Sequence, residues 1–158
     1  MKTKLVIFTA TFSLIFILAP LVCAQDADKA AIDKYISAQA KHERGEEYPD
    51  ARKVVTGDLN GDATAETVVL YTIEGQGGSN RHVQYLAVFK RVDGKLVPVT
   101  HTSVSANRDV ELDSISNQLI NLTTMSYGKN DPQCCPSIKG KAWYKLVGIA
   151  LMPVRNRR

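Results

Sequence analysis

The chain is poor in the residues from which catalytic and metal centres are usually built. Its 158 residues include three histidines, three cysteines and one tryptophan, and aromatic residues make up only 7%. His42, His82 and His101 show no metal-ligand spacing, and no basic stretch is interleaved with aromatic residues as in a nucleic-acid interface. The sequence therefore predicts no catalytic residues and no nucleic-acid partner, and it favours a non-enzyme.

The longest apolar run lies near the N terminus. Lys2 and Lys4 precede an uncharged segment at 5–18, and Ala24 supplies a small residue further on. A positive start, an apolar middle and a small-residue exit are the marks of a secretory signal peptide, and the run is short for a membrane span. We therefore predict cleavage after Ala24, a periplasmic or secreted protein, and no transmembrane span in the mature chain.

A lipoprotein signal that uses Cys23 is the less favoured alternative, because Val22 stands where such signals carry a small residue. Loss of residues 1–24 removes two lysines and no acid, so the formal net charge falls from +4 to +2. Most of the apparent basicity thus leaves with the signal. The mature part divides into a helix with its linker at 25–49 and a strand-rich domain at 50–158.

The first mature segment predicts a helix over 26–42. Asp26 or Asp28 can cap its start by accepting hydrogen bonds from unpaired backbone N–H groups, and Gly45 with Pro49 ends it. Residues at helical spacing form one mainly apolar stripe along this helix. They are Ala31, Ile32, Tyr35, Ile36 and Gln39.

From residue 53 onward, β-branched and aromatic runs alternate with turn residues, which predicts strands. Asp93-Gly94 and Gly148 each separate two runs and predict hairpins. Both faces of 85–90 are apolar, as is typical of a central strand covered on both sides. We expect an α+β protein, mainly β, with about 7–8 antiparallel strands in a meander or sandwich-like sheet and one N-terminal helix. The predicted strands are 53–56, 67–73, 83–90, 96–102, 110–115, 119–124, 141–147 and 149–154.

An acidic loop follows the first predicted strand. Oxygen atoms are offered at nearly every second position by Asp58, Asn60, Asp62, Thr64 and Glu66. Several oxygens on a tight loop suit a hard cation such as Ca²⁺, and clustered carboxylates repel one another unless a cation neutralises them. The spacing is not that of an EF-hand, which needs a glycine and a glutamate where this loop has other residues.

The stretch at 56–70 instead resembles the shorter strand–loop–strand calcium motif of FG-GAP/VCBS-type repeats, in which Asp-x-Asn-x-Asp-Gly-x-x-Asp precedes an apolar strand. The resemblance implies four side-chain ligands and one backbone ligand for Ca²⁺. These are Asp58, Asn60, Asp62 and Glu66, with Thr64 contributing its carbonyl. Ala63 replaces the glycine of the motif, and the chain carries one copy rather than the several of a propeller. The alternative is a polar turn held by Asx hydrogen bonds without a metal; both interpretations are structural rather than catalytic.

The mature chain keeps two cysteines, the neighbours Cys134 and Cys135, between Pro132 and Pro136. Two thiols with no other partner pair in an oxidising compartment, and adjacent cysteines can do so only through a strained, easily reduced ring. Three interpretations stay open. They are a structural disulfide that pins the loop, an intermolecular bond or a metal-binding thiolate pair, and a thiol-redox or hydrolytic enzyme that uses this loop.

Several segments together resemble a family of small exported bacterial proteins of uncharacterised role. They are the acidic loop, Tyr71 before a glycine-rich turn, the run at 84–89, Ser126-Tyr127-Gly128, and Cys134-Cys135-Pro136-Ser137. The resemblance implies a fold and a compartment, and no activity comes with it. We expect an exported binding or interaction module, with Ca²⁺ as its candidate cofactor and a protein or glycan outside the cytoplasm as its partner. The cysteine-based enzyme is the alternative.

Overall fold

The structure, a computed structural model, describes residues 19–106, 108–132 and 134–155; most of the predicted signal peptide, residues 1–18, lies outside these ranges. Within them the chain forms one α-helix and nine antiparallel strands. The helix is α1 (Ala19–Glu43), and the strands are β1 (Glu46–Glu47), β2 (Lys53–Gly57), β3 (Glu66–Glu74), β4 (His82–Val92), β5 (Lys95–Ser103), β6 (Arg108–Ser116), β7 (Leu119–Ser126), β8 (Ile138–Val147) and β9 (Ala150–Val154). This confirms the predicted mainly β fold with one N-terminal helix. Over the same ranges, no helix combines the length and the apolar character needed to cross a bilayer.

Helix α1 begins upstream of its predicted first residue. Asp26 and Asp28 therefore lie inside the helix, and the prediction that one of them caps it is wrong. The preceding alanines, leucine and glutamine sustain helical backbone, and Pro20 is tolerated because the first turn needs no N–H donor there. Asp28 instead forms an ion pair with Arg91 of β4, which ties the helix to the sheet.

The predicted apolar stripe of α1 faces the sheet. Ile32, Ile36 and Ala40, spaced by four residues, are buried, and Tyr35 packs edge-on against Phe89 of β4 with ring centroids 5.2 Å apart. This burial, more than intrinsic helix propensity, holds the helix in place.

The C-terminal end of α1 is a Schellman motif. The N–H of Arg44 donates to the carbonyl of Lys41 at 3.3 Å, and the N–H of Gly45 donates to that of Ala40 at 3.0 Å. Arg44 takes the left-handed conformation that this motif requires, with φ 54°. Glycine usually occupies that position because a side chain is strained there.

The strands form two sheets that face each other. In the first sheet, β1 and β2 both pair with β3, and the order continues through β4 to β5; the second sheet has the order β6-β7-β8-β9. β2 lies beside β6, and β5 lies beside β9. Gly57 permits the contact between β2 and β6, since a Cβ at this position would lie 2.8 Å from the Cβ of Ile115.

The first sheet is covered on both faces, as the apolar pattern of 85–90 predicts. Tyr85, Ala87 and Phe89 belong to the core under α1. Leu86 and Val88 belong to the core between the two sheets. β4 lies between β3 and β5, so its prediction as a central strand is confirmed.

The two predicted hairpins are present. Asp93 and Gly94 join β4 to β5 with φ values of 49° and 76°, the positive pair that a type I′ turn needs. Gly148, with φ 61°, opens the turn between β8 and β9. All eight predicted strands occur, each within a few residues of its expected bounds, and β1 is an additional strand.

Gln84 of β4 links the two sheets through its side-chain amide. Its Nε2 donates to the carbonyl of Val110 on β6 at 2.9 Å, and the N–H of Val110 donates to its Oε1 at 2.8 Å. Its backbone is also paired, since its N–H donates to the Ser105 hydroxyl at 2.9 Å and its carbonyl accepts the N–H of Val104 at 2.9 Å. The Gln84 side-chain amide thus forms the two hydrogen bonds to the Val110 backbone that a neighbouring strand would otherwise form.

Candidate functional site

The acidic loop between β2 and β3 folds around the carboxylate of Asp58. Its Oδ1 accepts the N–H groups of Asn60 at 3.1 Å and Gly61 at 2.6 Å, and its Oδ2 accepts the N–H of Ala63 at 3.0 Å. Ala63, where the motif has glycine, adopts the positive φ of 64° that the loop requires. The Asx hydrogen bonds of the metal-free alternative are therefore present.

Glu66 closes the loop from the base. Its side chain is buried, and its Oε2 accepts the N–H of Leu59 at 2.9 Å. The Asn60 amide nitrogen donates both to Glu66 Oε1 at 3.1 Å and to Asp62 Oδ2 at 2.9 Å. The Thr64 N–H, followed by the Asn60 amide, lowers the pKa of Asp62 below its ordinary value.

Of the predicted ligands, Asp62 and Glu66 are thus brought together around the amide nitrogen of Asn60, whereas the Asp58 carboxylate binds backbone N–H groups. Asn60 Nδ2 lies between two carboxylate oxygens, the position that a cation would take, while Asn60 Oδ1 accepts the N–H of Asp62 at 2.8 Å. Among the described residues, no group of three or more His, Cys, Asp or Glu side chains is arranged to hold a metal ion. Rotation of this amide would turn its oxygen toward the two carboxylates, so the donor set fits Ca²⁺ only after that rearrangement.

Cys134 and Cys135 form a disulfide with each other, and both are exposed. Asp131 holds the base of their loop: its carboxylate accepts the Gly128 N–H at 2.7 Å and the Ser137 N–H and hydroxyl at 2.8 Å. These bonds, the one from Gly128 first, hold the pKa of Asp131 below its ordinary value. Of the pairings considered for the two cysteines, the structure shows the intramolecular disulfide.

The histidines lie apart. His101 of β5 accepts or donates a hydrogen bond through Nδ1 with the Tyr35 hydroxyl of α1 at 2.8 Å. His82 begins β4, and its Nε2 lies 3.5 Å from Asp109 of β6. His42 is exposed in the last turn of α1. No two of them meet.

A cleft of about 950 Å³ opens where α1, β1, β3 and β4 end. We call it the end cleft. Seven charged or aromatic residues line it, together with the glycine-rich turn between β3 and β4. They are Arg44, Glu46, Glu47, Tyr48, Glu74, Arg81 and His82. Of these, Glu47 forms an ion pair with Arg52.

Charges of both signs line the end cleft without neutralising one another. Glu46 of β1 pairs directly with Glu74 of β3, and Glu74 pairs with His82 of β4. Two like charges in direct register destabilise a sheet. Over the described part of the chain, neither glutamate forms an ion pair, and the same holds for Arg44 and Arg81.

One strained backbone residue lies at this cleft. Arg44 is left-handed, and its carbonyl accepts the N–H of Gly77 at 2.9 Å, which ties the helix end to the glycine-rich turn. Gly75, Gly77 and Gly78 also have positive φ, which glycine adopts without strain. A strained non-glycine residue such as Arg44 is more frequent at ligand sites than elsewhere.

The sequence predicts no function for the charged residues of the cleft. They come from two stretches, 44–48 and 74–82, that share no motif. The one local signal is Arg44, a large residue standing before Gly45 at a helix end where glycine is the usual choice.

The fold and the end cleft define a protein of two facing antiparallel sheets with a helix on the outer face of one of them. No family model, curated protein or solved structure matches the chain.

Proposed function

We propose that this chain is an exported, non-enzymatic binding module whose ligand occupies the end cleft. The observation that carries the proposal is Arg44, which keeps a strained left-handed backbone at the rim of the cleft. The export half rests on the signal-like residues 1–24 and is tested by cell fractionation with mass spectrometry of the N terminus. A full-length chain in the cytosol would contradict it.

The charges of the cleft indicate its ligand. The paired carboxylates of Glu46 and Glu74 call for a cationic group between them, while the guanidinium groups of Arg44 and Arg81 suit a carboxylate. The polar lining disfavours an apolar ligand. The ligand is therefore a hydrophilic molecule that carries an amino group and a carboxylate, as a peptide or an amino-sugar acid does.

Replacing Arg44 with glycine should separate stability from binding. Arg44→Gly is expected to raise the free energy of unfolding by about 0.5–1 kcal/mol, because glycine relieves the left-handed strain, and to weaken ligand binding because the guanidinium is lost. Urea denaturation measures the first effect. NMR titration with triglycine, with muramic acid and with neutral diacetylchitobiose measures the second and distinguishes a peptide source from a sugar source.

Asp93→Gly is the matched control. Asp93 also has a positive φ, but it lies in the β4–β5 turn at the opposite end of the sheet. It should stabilise the fold in the same way and leave the titrations unchanged. If Arg44→Gly binds the charged probes as well as the parent chain does, or if only the neutral sugar binds, the cleft proposal fails.

We further propose Ca²⁺ as the stabilising cofactor, held by Asp58, Asn60, Asp62 and Glu66 with the carbonyl of Thr64. Its support is the convergence of the exposed Asp62 carboxylate and the buried Glu66 carboxylate on one point. The Asn60 amide nitrogen lies at that point.

Asn60→Asp distinguishes a loop that binds Ca²⁺ from a loop held by hydrogen bonds alone. Aspartate has no N–H to donate, so the neighbouring carboxylates repel one another and the variant is expected to unfold more easily in chelator. Calcium should restore it, with a larger rise in melting temperature than the parent chain shows, because binding to the folded state alone adds stability. Differential scanning calorimetry with and without millimolar Ca²⁺ measures both, and Asn130→Asp, on an exposed loop, is the control. If Ca²⁺ changes the melting temperature of neither the parent chain nor the variant, the proposal that the loop binds Ca²⁺ is wrong.

A further inference from the structure

The hairpin formed by β8 and β9 presents an unusual outer surface. Side chains alternate along it, so that Tyr144, Leu146 and Leu151 enter the core between the sheets. The opposite face and the turn carry apolar side chains that are open to solvent. Ile149 is 77% exposed, Val147 56% and Met152 52%.

The same hairpin carries charge of one sign. Residues 138–155 include Lys139, Lys141, Lys145 and Arg155 and no acidic residue, and two more arginines follow in the sequence. Of these cations, Lys141 pairs with Asp113 of β6. Lys145 and Met152 are direct cross-strand neighbours, so that cationic and apolar groups share one surface.

The one tryptophan of the chain lies on this surface. Trp143 of β8 pairs with Val154 of β9 and is partly exposed. Tryptophan favours the boundary between an apolar and an aqueous phase. Below it along the hairpin lies the apolar turn at Val147 and Ile149, and beside it lie the lysines.

We propose that the β8–β9 hairpin docks on the surface of an anionic phospholipid bilayer. The exposed turn enters the boundary between headgroups and acyl chains, Trp143 lies at the headgroup level, and Lys139, Lys145 and Arg155 bind lipid phosphates. The bilayer is the occupant because the hairpin combines apolar side chains with three cations, Lys139, Lys145 and Arg155, that form no ion pair with the described residues.

A second copy of the chain is the less suitable occupant. A symmetric contact would bring the same patch of both copies together, so that Lys145 and Arg155 would face their own equivalents. β9 is an edge strand, to which another strand could pair. Such strand addition is disfavoured because Pro153 within β9 lacks an N–H donor.

Trp143 makes the proposal directly measurable, since it is the sole tryptophan. Protein recovered from the expressing cells, with its N terminus defined by mass spectrometry, is mixed with vesicles of phosphatidylcholine alone or with added phosphatidylglycerol. A blue shift of the emission and quenching by brominated lipid are expected only with the anionic vesicles and should weaken at high salt.

Two matched pairs of variants locate the contact. Ile149→Ser should weaken vesicle binding about tenfold, whereas Val97→Ser, on the exposed side of β5, should not. Lys145→Glu should weaken it roughly thirtyfold, whereas Lys90→Glu on β4 should have little effect. Circular dichroism confirms that each variant is folded.

Several results would overturn the proposal. These are an emission spectrum unchanged by anionic vesicles at low salt, equal binding to neutral vesicles, and an Ile149→Ser variant that binds like the parent chain. A dimer in sedimentation velocity whose formation depends on Ile149 without lipid would assign the surface to a second copy instead.

Discussion

Gln84→Met is expected to lower the free energy of unfolding by about 1–3 kcal/mol, because it leaves a part-buried N–H and a part-buried carbonyl without partners. Both groups belong to Val110, which is 6% exposed. The methionine fills a similar volume, so the loss reports the hydrogen bonds rather than a cavity. For a domain of ordinary stability, that is a large fraction of the total.

Urea denaturation of parent and variant measures this difference. Gln39→Met is the control, since the Gln39 side chain of α1 is half-buried and forms no hydrogen bond among the described residues. It should change stability by no more than about 0.5 kcal/mol. A similarly small loss for Gln84→Met would show that water replaces the amide and that the sheets are joined by their apolar core alone.

Most strands could be predicted because each satisfies a local rule. Alternating β-branched runs, the Asp93-Gly94 turn and Gly148 all constrain the chain within a few residues. β1 has no such signal: Glu46–Glu47 is charged and short, and it becomes a strand only because β3 offers a free edge. Its formation is a tertiary effect that overrides propensity.

The acidic loop shows how far local reasoning extends to a site. The pattern at 58–66 predicts that its oxygen-bearing side chains converge, and Asp62 and Glu66 do so around Asn60, whereas Asp58 binds backbone N–H groups. Which group occupies the centre depends on the rotation of one amide, and a sequence pattern does not encode that rotation. The calcium assignment therefore stays a prediction.

The end cleft could not be predicted, because its residues meet only after folding. Taken locally, Arg44, Glu74 and Arg81 are each an ordinary charged residue at the end of a helix or strand. Their significance comes from the register that sets Glu46 against Glu74 and from the missing ion pairs. Gln84 is similar, since a polar residue at the start of an apolar run gives no sign that it bridges two sheets.

Ile36→Ala is expected to lower the free energy of unfolding by about 2–5 kcal/mol, the range for truncating a fully buried aliphatic side chain to alanine. Ile36 is 0% exposed in the core shared by α1 and the first sheet. Because Arg44, which directly follows α1, lines the end cleft, a loosened helix should weaken ligand binding as well. Urea denaturation followed by circular dichroism and by Trp143 fluorescence measures the change.

Those two probes decide whether the helix and the sheets unfold together. Trp143 reports the second sheet, whereas circular dichroism includes the helix, so coincident transitions in both chains indicate one cooperative unit. Lys34→Ala, on the exposed side of the same helix turn, is the control and should change stability by only a few tenths of a kcal/mol, about the size of a surface effect. If Ile36→Ala separates the transitions and leaves the fluorescence midpoint unchanged, α1 is an appendage that docks on an independently stable sandwich, and Arg44 is then held by the β1 pairing rather than by the helix.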